Sequence, residues 1–338
     1  MTVIATGTKF DEFKLKFQKS YKTLSEEKTR ETQFYKNLDF IESHNALFKK
    51  GIKTYQTGIN QFADLSNDEF IKLHLIDRSA PDFPLEYGCD EQFQSQGNNA
   101  ASVDWTTTAN PAGVLADVGV KNQGSCGSCW AFAAVAAFEG AQCIAGNYDC
   151  QTWDGASEQN LVDCVNADNT DVDLGRYYCS GCTGGWQSNA FRYIALNGGV
   201  DDVFYYHYTS GTSGKEHSCG YSYACSAGTI SKCGKTREGD EDDLANAIAE
   251  IGPIAIAIDA SEQGFQFYSG GVYSSDNCSS DALNHAVTAV GYGNFGGQDY
   301  FSIKNSWGKH WGEDGYVAIA RNQNNMCGVA SDCTYPIL

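Results

Sequence analysis

From Lys9 to Lys50 the chain contains no proline or glycine, is rich in Lys and Glu, and places apolar side chains at three- and four-residue steps. That spacing predicts amphipathic helices. Within this stretch Glu26, Arg30, Phe34, Asn37, Ile41 and Asn45 follow one another at steps of 4, 4, 3, 4 and 4, so all six project from one side of a single helix. Residues 79–101 change character, with Pro81, Pro84, Gly88 and Gly97 among runs of Ser, Gln and Asn, and read as an exposed linker. From Cys129 to about Ala145 an Ala-rich run carrying Trp130, Phe132, Val135, Phe138 and Ile144 is apolar almost all round, which predicts a buried helix. Later segments alternate or run apolar between glycines, as strands do: Ile254-Ala-Ile-Ala-Ile258, His285-Ala-Val-Thr-Ala-Val-Gly291, Tyr300-Phe-Ser-Ile303 and Tyr316-Val-Ala-Ile-Ala320. The expected fold class is therefore α+β: a helical module, a linker, a helical lobe and then a β-rich lobe. No internal repeat is evident, and no run of eighteen apolar residues is long enough to span a bilayer.

Composition sharpens this in two ways. The net charge of −19 belongs mostly to the chain after residue 100, where about 10 basic side chains face about 27 acidic ones. Such a surface disfavours nucleic acid and anionic membranes as partners. The 14 cysteines, most of them after residue 120, suit an oxidising compartment. A metal role is disfavoured: only Cys126-Gly-Ser-Cys129 and Cys179-Ser-Gly-Cys182 approach ligand spacing, and no His follows either at zinc-finger distance. Residues 1–9 are too short in apolar length for a signal peptide, yet the disulfides imply secretion. A leader is accordingly expected to have been trimmed, with Met1 supplied for expression. The sequon Asn277-Cys278-Ser279 encloses a cysteine expected to be bonded, which disfavours a glycan there.

Candidate chemistry centres on Cys129. A thiol attacks carbonyls as the thiolate, and its ordinary pKa leaves little of that form below neutrality. At the start of a long buried helix, unpaired backbone N–H groups and the helix dipole favour an anion. A neighbouring imidazolium would complete a thiolate–imidazolium pair.

The string Gln123-Gly-Ser-Cys126-Gly-Ser-Cys129-Trp130-Ala-Phe132 resembles the nucleophile region of papain and the cathepsins. Other motifs fit the same family. The Glu26-to-Asn45 ladder resembles the ERFNIN motif of cathepsin L-like propeptides, and Gly58-Ile-Asn60-Gln-Phe62-Ala-Asp64 resembles their G-x-N-x-F-x-D motif. Ser102-Val-Asp-Trp105 resembles a mature papain-like start. Leu283-Asn-His285-Ala-Val and Lys304-Asn305-Ser-Trp307-Gly308 follow in the family's order. The resemblance implies the zymogen of a papain-like cysteine endopeptidase. It implies a two-lobe fold, one lobe helical and one barrel-like, behind a mainly helical inhibitory prodomain. The divisions expected are an inhibitory domain at 1–78, an activation linker at 79–101 and a peptidase at 102–338, its helical lobe at about 102–205 and its β-rich lobe at about 206–338.

Roles carried over by resemblance are Cys129 as nucleophile, His285 as base and then acid, Asn305 orienting the imidazole and Trp307 shielding that bond. Gln123 would donate to the oxyanion with the Cys129 N–H. Substrate would meet Gly184, Gly185, Trp186, Gln187, Ala257, Asn284, Ala286 and Asp332. Asp332 falls at the floor of the pocket for the second residue upstream of the scissile bond, the P2 residue, where a carboxylate would admit Arg beside hydrophobic residues; the alternative is a solvated Asp beside an extra disulfide at Cys333. No occluding-loop His pair stands near Gly184, which favours an endopeptidase over an exopeptidase. His44, His74, His207, His217 and His310 lack such context and read as structural or surface residues.

The family implies bridges Cys126–Cys182 and Cys278–Cys327, and Cys164 with one of Cys219, Cys225 or Cys233. Locking Cys126 frees Cys129 and disfavours a redox C-x-x-C. Cys143, Cys150, Cys179, Cys333 and the two left from that trio stay unassigned. Setting Cys129 and Cys89 aside leaves twelve, consistent with six bridges, with Cys89 an odd thiol in the removable segment. The prodomain is expected to thread the cleft backwards, held by Asp64, Glu26 and Arg30 through ion pairs and hydrogen bonds that acid would weaken. The expected partners are polypeptide substrates and the chain's own propeptide, with no cofactor and no metal; the enzyme is expected to be a monomer in a lysosome-like acidic vacuole or secreted. The competing reading is a catalytically silent storage or binding protein of the same fold.

Overall fold

The computed structural model describes residues 7–76, 89–97, 100–166, 172, 174 and 178–338. The N-terminal module contains helices α1 (Lys9–Lys16) and α2 (Leu24–Lys49), strand β1 (Tyr55–Thr57) and helix α3 (Asn67–His74). Each helix starts on a side-chain cap: Thr8, Thr23 and Ser66 accept from the backbone N–H of Asp11, Glu26 and Glu69. These caps satisfy amides that a helix leaves unpaired. Phe10, Phe13, Phe34, Leu38 and Ile41 form the small core between α1 and α2, closed by Ala63 and Phe267.

The polar residues on one side of α2 fasten the loop that follows. Arg30 donates to the Asp64 carbonyl at 3.2 Å and to Glu69 at 2.9 Å. Asn37 Nδ2 donates to the carbonyls of Ala63 and Leu65, both at 2.8 Å, and Asn45 pairs with both backbone groups of Thr57. Asp64 accepts from Lys19 at 2.9 Å and from the Tyr21 hydroxyl at 3.0 Å, and Glu26 accepts from the Lys22 N–H. These partners lie inside the module, and Asn37 Oδ1 also accepts from Gln263 Nε2 of the larger domain at 3.2 Å. Among the described residues no ion pair joins residues 7–76 to 100–338. Glu26, Arg30 and Asp64 thus build the module's own fold; they do not tether it to the larger domain, as the sequence suggested. Across the docking face the described contacts are apolar packing and neutral hydrogen bonds.

The remainder comprises β2 (Glu91–Gln92), β3 (Val103–Asp104), α4 (Cys129–Ile144), α5 (Glu158–Cys164), α6 (Gln187–Asn197), α7 (Ser210–Ser213), β4 (Lys232–Lys235), α8 (Glu241–Glu250), β5 (Ile254–Ile258), α9 (Gln263–Gln266) and five strands. These are β6 (Tyr268–Tyr273), β7 (His285–Phe295), β8 (Gln298–Lys304), β9 (Tyr316–Ala320) and β10 (Cys333–Ile337). One sheet runs β1-β6-β9-β8-β7-β5-β10-β4-β2, with β3 on β7. The module's β1 closes one edge, pairing Tyr55 with Gly271. Gly271 permits this approach: its φ is +83°, and a Cβ there would lie 2.6 Å from the Thr54 carbonyl.

Helix α4 is apolar all round because it lies between the sheet on one side and α5 and α6 on the other. The two lobes exchange their ends. Val103, Trp105 and Ala116 pack into the sheet-side core, while Ala227, Ile230 and Cys233 pack into the helical core, so no single cut near residue 205 separates the lobes.

Five disulfides are formed: Cys89–Cys233, Cys126–Cys182, Cys143–Cys150, Cys164–Cys219 and Cys278–Cys327. Cys129, Cys179, Cys225 and Cys333 are thiols. Two expectations are corrected: there are five bridges where the even remainder suggested six, and Cys89 is bonded, not odd. Nor is there a disulfide at Cys333. Burial in apolar surroundings pushes the Cys179 and Cys333 thiols up, as expected of inert core residues.

Between the lobes, Lys121 reaches Glu139 on α4 at 2.7 Å and Glu158 on α5 at 2.6 Å. Both carboxylates are buried. Beside them Lys304 pairs with Asp117 at 2.5 Å. Removing the one cation bonded to both carboxylates leaves two buried anions without it. Lys121→Met should therefore lower the unfolding free energy by about 3–5 kcal/mol at neutral pH. Denaturant titration of the zymogen checks this, and the deficit should shrink at acid pH, since burial already pushes the Glu139 carboxyl up.

Candidate active site

Cys129 is the first residue of α4, and its N-cap Ser128 supplies no side-chain cap. The first turn also lacks an acidic residue. The amides and the positive end of the helix therefore face the sulfur unopposed by a nearby carboxylate on the helix. The partner across the cleft is the second residue of β7: the Ala286 N–H donates to Cys129 Sγ at 3.4 Å. This contact brings the sulfur to the start of the strand that carries His285.

His285 is fully buried, and its Nε2–H donates to Asn305 Oδ1 at 2.7 Å. The Ser306 N–H donates to the same oxygen at 2.7 Å, which fixes the amide's orientation. With Nε2 protonated, Nδ1 is the acceptor nitrogen; it makes no hydrogen bond among the described residues and is left for proton exchange. Trp307 stacks on the imidazole with centroids 4.5 Å apart and is 1 % exposed, so water does not reach the His285–Asn305 bond. Burial pushes His285 down to about 4; the bond to Asn305 raises it and the neighbouring His74 lowers it.

Gln123 is placed by backbone pairing between segments 121–123 and 306–308, through Gln123 N–H to the Ser306 carbonyl at 2.8 Å and Gly308 N–H to the Lys121 carbonyl at 3.0 Å. Its Oε1 accepts from the Ser306 hydroxyl at 2.6 Å and its Nε2 donates to the Cys126 carbonyl at 3.0 Å. One Nε2 hydrogen remains for another acceptor. Cys129, His285, Asn305, Trp307 and Gln123 therefore come together.

Residues 99–337 match the papain family of cysteine proteases, and residues 10–70 match the cathepsin propeptide inhibitor domain. The chain belongs to the papain family of cysteine proteases. It is a protease zymogen with an intramolecular propeptide inhibitor. Digestive cysteine proteinase 1 of Homarus americanus is 38% identical over 336 residues, covering 99% of this chain and 96% of that protein. Cathepsin S of Mus musculus is 38% identical over 331 residues, covering 97% and 89%. The solved structure of digestive procathepsin L 3 from Tenebrio molitor larval midgut has a TM-score of 0.83 at 38% identity, covering 98% of this chain and 100% of that one.

The propeptide lies directly on this site. Gln61 Nε2 donates to the Trp307 carbonyl at 2.7 Å, Asn60 Nδ2 to the Gln266 carbonyl at 2.7 Å, and the Ile76 N–H to the Asn284 carbonyl at 2.8 Å. Phe62 and Phe70 meet Trp307 edge-on at 5.7 and 5.2 Å. Ile76 is buried in the same core as Cys129, Trp186 and Ala286. The onward course through the cleft, at 77–88, lies outside the described residues, as does part of the stretch expected to hold the activating cut.

Among the expected substrate residues, Gln187 Nε2 donates to the Asp332 carbonyl at 3.4 Å, the Ala257 N–H donates to it at 3.0 Å, and Ala257 lies opposite Ala286. These four form one wall. Gly185 borders Cys179 and Trp130; a Cβ there would lie 2.5 Å from the Cys179 sulfur. Trp186, next in the chain, is buried, and Gly184, before Gly185, has φ +141°.

Two contributors lacked any sequence signal. The Tyr208 hydroxyl donates to the Gln123 carbonyl at 2.8 Å and accepts from the Ser128 hydroxyl at 2.8 Å. His74, read from sequence as structural or surface, is buried against Phe62 at 4.6 Å and close enough to His285 to lower its pKa. His44 is structural, bonding the Tyr55 carbonyl, and His207, His217 and His310 are exposed.

Asn305→Ala would free the imidazole to rotate while leaving the sulfur in place. The activated variant should lose kcat/KM by up to about 10²-fold. Steady-state kinetics on a peptide substrate check this, against an unchanged fold by circular dichroism.

Proposed function

We propose that Cys129 is the nucleophile and His285 its proton partner in an endopeptidase. The supporting observation is the Cys129 sulfur held at the start of α4, 3.4 Å from the Ala286 N–H, beside an imidazole fixed by Asn305. Under the propeptide the imidazolium is costly because His285 is buried and His74 is adjacent. Propeptide release removes His74 and admits water, which favours the thiolate–imidazolium pair. The thiolate attacks the scissile carbonyl carbon, and the oxyanion takes the Cys129 N–H and the spare Gln123 hydrogen. His285 then protonates the leaving amine, giving an acyl-enzyme. Water, deprotonated by His285, attacks the thioester and releases the acid with the thiol restored.

Asp332 lies 7 % exposed beside Gln187 and Ala257, in a cavity of about 360 Å³. We read this as the P2 pocket, accepting Arg as well as hydrophobic side chains. The silent storage reading would leave Cys129 without turnover.

Acid release follows from His74. In the docked form burial lowers its pKa to about 4, the bond to the Gly124 carbonyl raises it, and Lys19 lowers it; His285 is the other titratable group facing it. In the released propeptide it returns to the ordinary value near 6.5. Docking is thus strongest above about pH 6.5 and weakens as pH falls toward 4, by about 3 kcal/mol at most. Glu69, held low despite burial by its capping bonds and Arg30, would protonate further down and loosen the module itself. A lysosome-like vacuole or an acidic secretory lumen fits such a monomeric zymogen.

Cys129→Ala should abolish both peptide hydrolysis and autoprocessing while the zymogen stays folded; residual turnover would refute the assignment. His74→Gln keeps a donor for Gly124 but does not charge, so autoprocessing should begin about one pH unit lower. A time course of band conversion between pH 7 and 4 reads this. Asp332→Ala should depress the Arg-to-Leu ratio of kcat/KM in substrates differing at P2, and an unchanged ratio would refute the Arg-accepting pocket.

A further inference from the structure

Residues 71–98 fall between the two family matches, at 10–70 and 99–337. Sequence places Cys89 to Gly97 in the segment that activation removes. The structure ties it to the enzyme instead. Cys89 is bonded to Cys233 and is 1 % exposed. Strand β2 runs parallel to β4, pairing Glu91 with Gly234 and Gln92 with Lys235, and the Phe93 N–H donates to the Lys235 carbonyl at 2.8 Å. Phe93 is buried edge-on to Tyr335, Glu91 pairs with Lys232 at 2.7 Å, and Ser95 and Gln96 both donate to Glu250. None of these partners belongs to residues 7–76.

The same strap borders the cavity at Asp332. Cys89 and Gln92 line the cavity of about 360 Å³ together with Leu283, Ser280 and Asp332. The Cys89 sulfur also lies 3.9 Å from the carbonyl of Ser188, the residue after Gln187.

We propose that residues 89–97 remain in the active enzyme as a disulfide-held wall of the pocket at Asp332, and that the propeptide leaves through hydrolysis of a peptide bond N-terminal to Cys89. A two-residue parallel strand is too short to persist alone. The bridge makes it permanent, because it closes a loop between residues 144 apart. It also constrains processing: a cut only at 98–101 would leave the whole propeptide covalently attached through Cys89. The wall, though not the retention, rests on reading Asp332 as a P2-pocket residue.

The test is mass spectrometry of the acid-activated enzyme, alkylated and digested without reduction. The expected result is a mature N-terminus between residues 77 and 89 and a Cys89–Cys233 cross-linked peptide. A mature enzyme starting at residue 98 or later with no Cys89 peptide overturns the proposal, as does an active species still carrying the whole propeptide on the bridge. Kinetics of Gln92→Arg and Asp332→Ala separate the two readings. Gln92→Arg should lower the Arg-to-Leu ratio at P2 by at least about threefold through charge repulsion. If Asp332→Ala shifts the ratio and Gln92→Arg does not, the wall is refuted while the P2 pocket stands. If Asp332→Ala leaves the ratio unchanged, the P2 reading and the wall both fail, and the mass result alone decides retention.

Discussion

The structure turns on the contact between the first residue of α4 and the first residues of β7. Cys129 belongs to the helical lobe and His285 to the sheet, and the Ala286 N–H at 3.4 Å from the sulfur joins them. In the proposed mechanism neither side chain acts from its own lobe alone. The rest of the domain serves this junction: Lys121 clamps Glu139 and Glu158 behind it, the 121–123 and 306–308 segments pair beside it, and Trp307 seals the imidazole on its outer side. Close packing makes that geometry rigid, so the site is assembled before substrate arrives.

Control is exercised by covering this junction without dismantling it. The propeptide adds β1 to one edge of the sheet and lays Phe62, Phe70 and His74 over Trp307 and His285. Among the described residues its ion pairs are internal, and its grip on the enzyme consists of hydrophobic burial and neutral hydrogen bonds. A grip of that kind is insensitive to salt, but it suffers when a charge appears inside it. His74, buried against His285, is a group able to introduce one as the pH falls. The other edge of the sheet carries β2, whose attachments among the described residues run to the enzyme. The two halves of the segment before residue 100 therefore have opposite allegiances.

Much of this was legible in the sequence. The ladder from Glu26 to Asn45 does lie on one helix, α2, because its spacing reflects local geometry; the all-round apolar run from Cys129 is the central helix for the same reason. The strand segments were visible as apolar runs between glycines. The partners of the ladder's charges were not legible: Arg30 chooses Glu69 and the Asp64 carbonyl through the return path of the loop, which spacing does not encode. Cysteine counting failed on Cys89 because evenness of the remainder carries no information about which sulfur meets which across 144 residues. His74 was missed because a histidine in a short amphipathic helix has the same local pattern whether its face meets water or an active site.

The central claim is that a complete thiol–imidazole site exists in the zymogen and is covered by the propeptide. Covalent labelling by a peptidyl epoxide, followed by mass spectrometry before and after acid treatment, tests it most directly. The account predicts one adduct per chain, on Cys129, appearing only once the propeptide has been released. Equal labelling of the untreated zymogen, or an adduct on Cys179, Cys225 or Cys333 in place of Cys129, would contradict it.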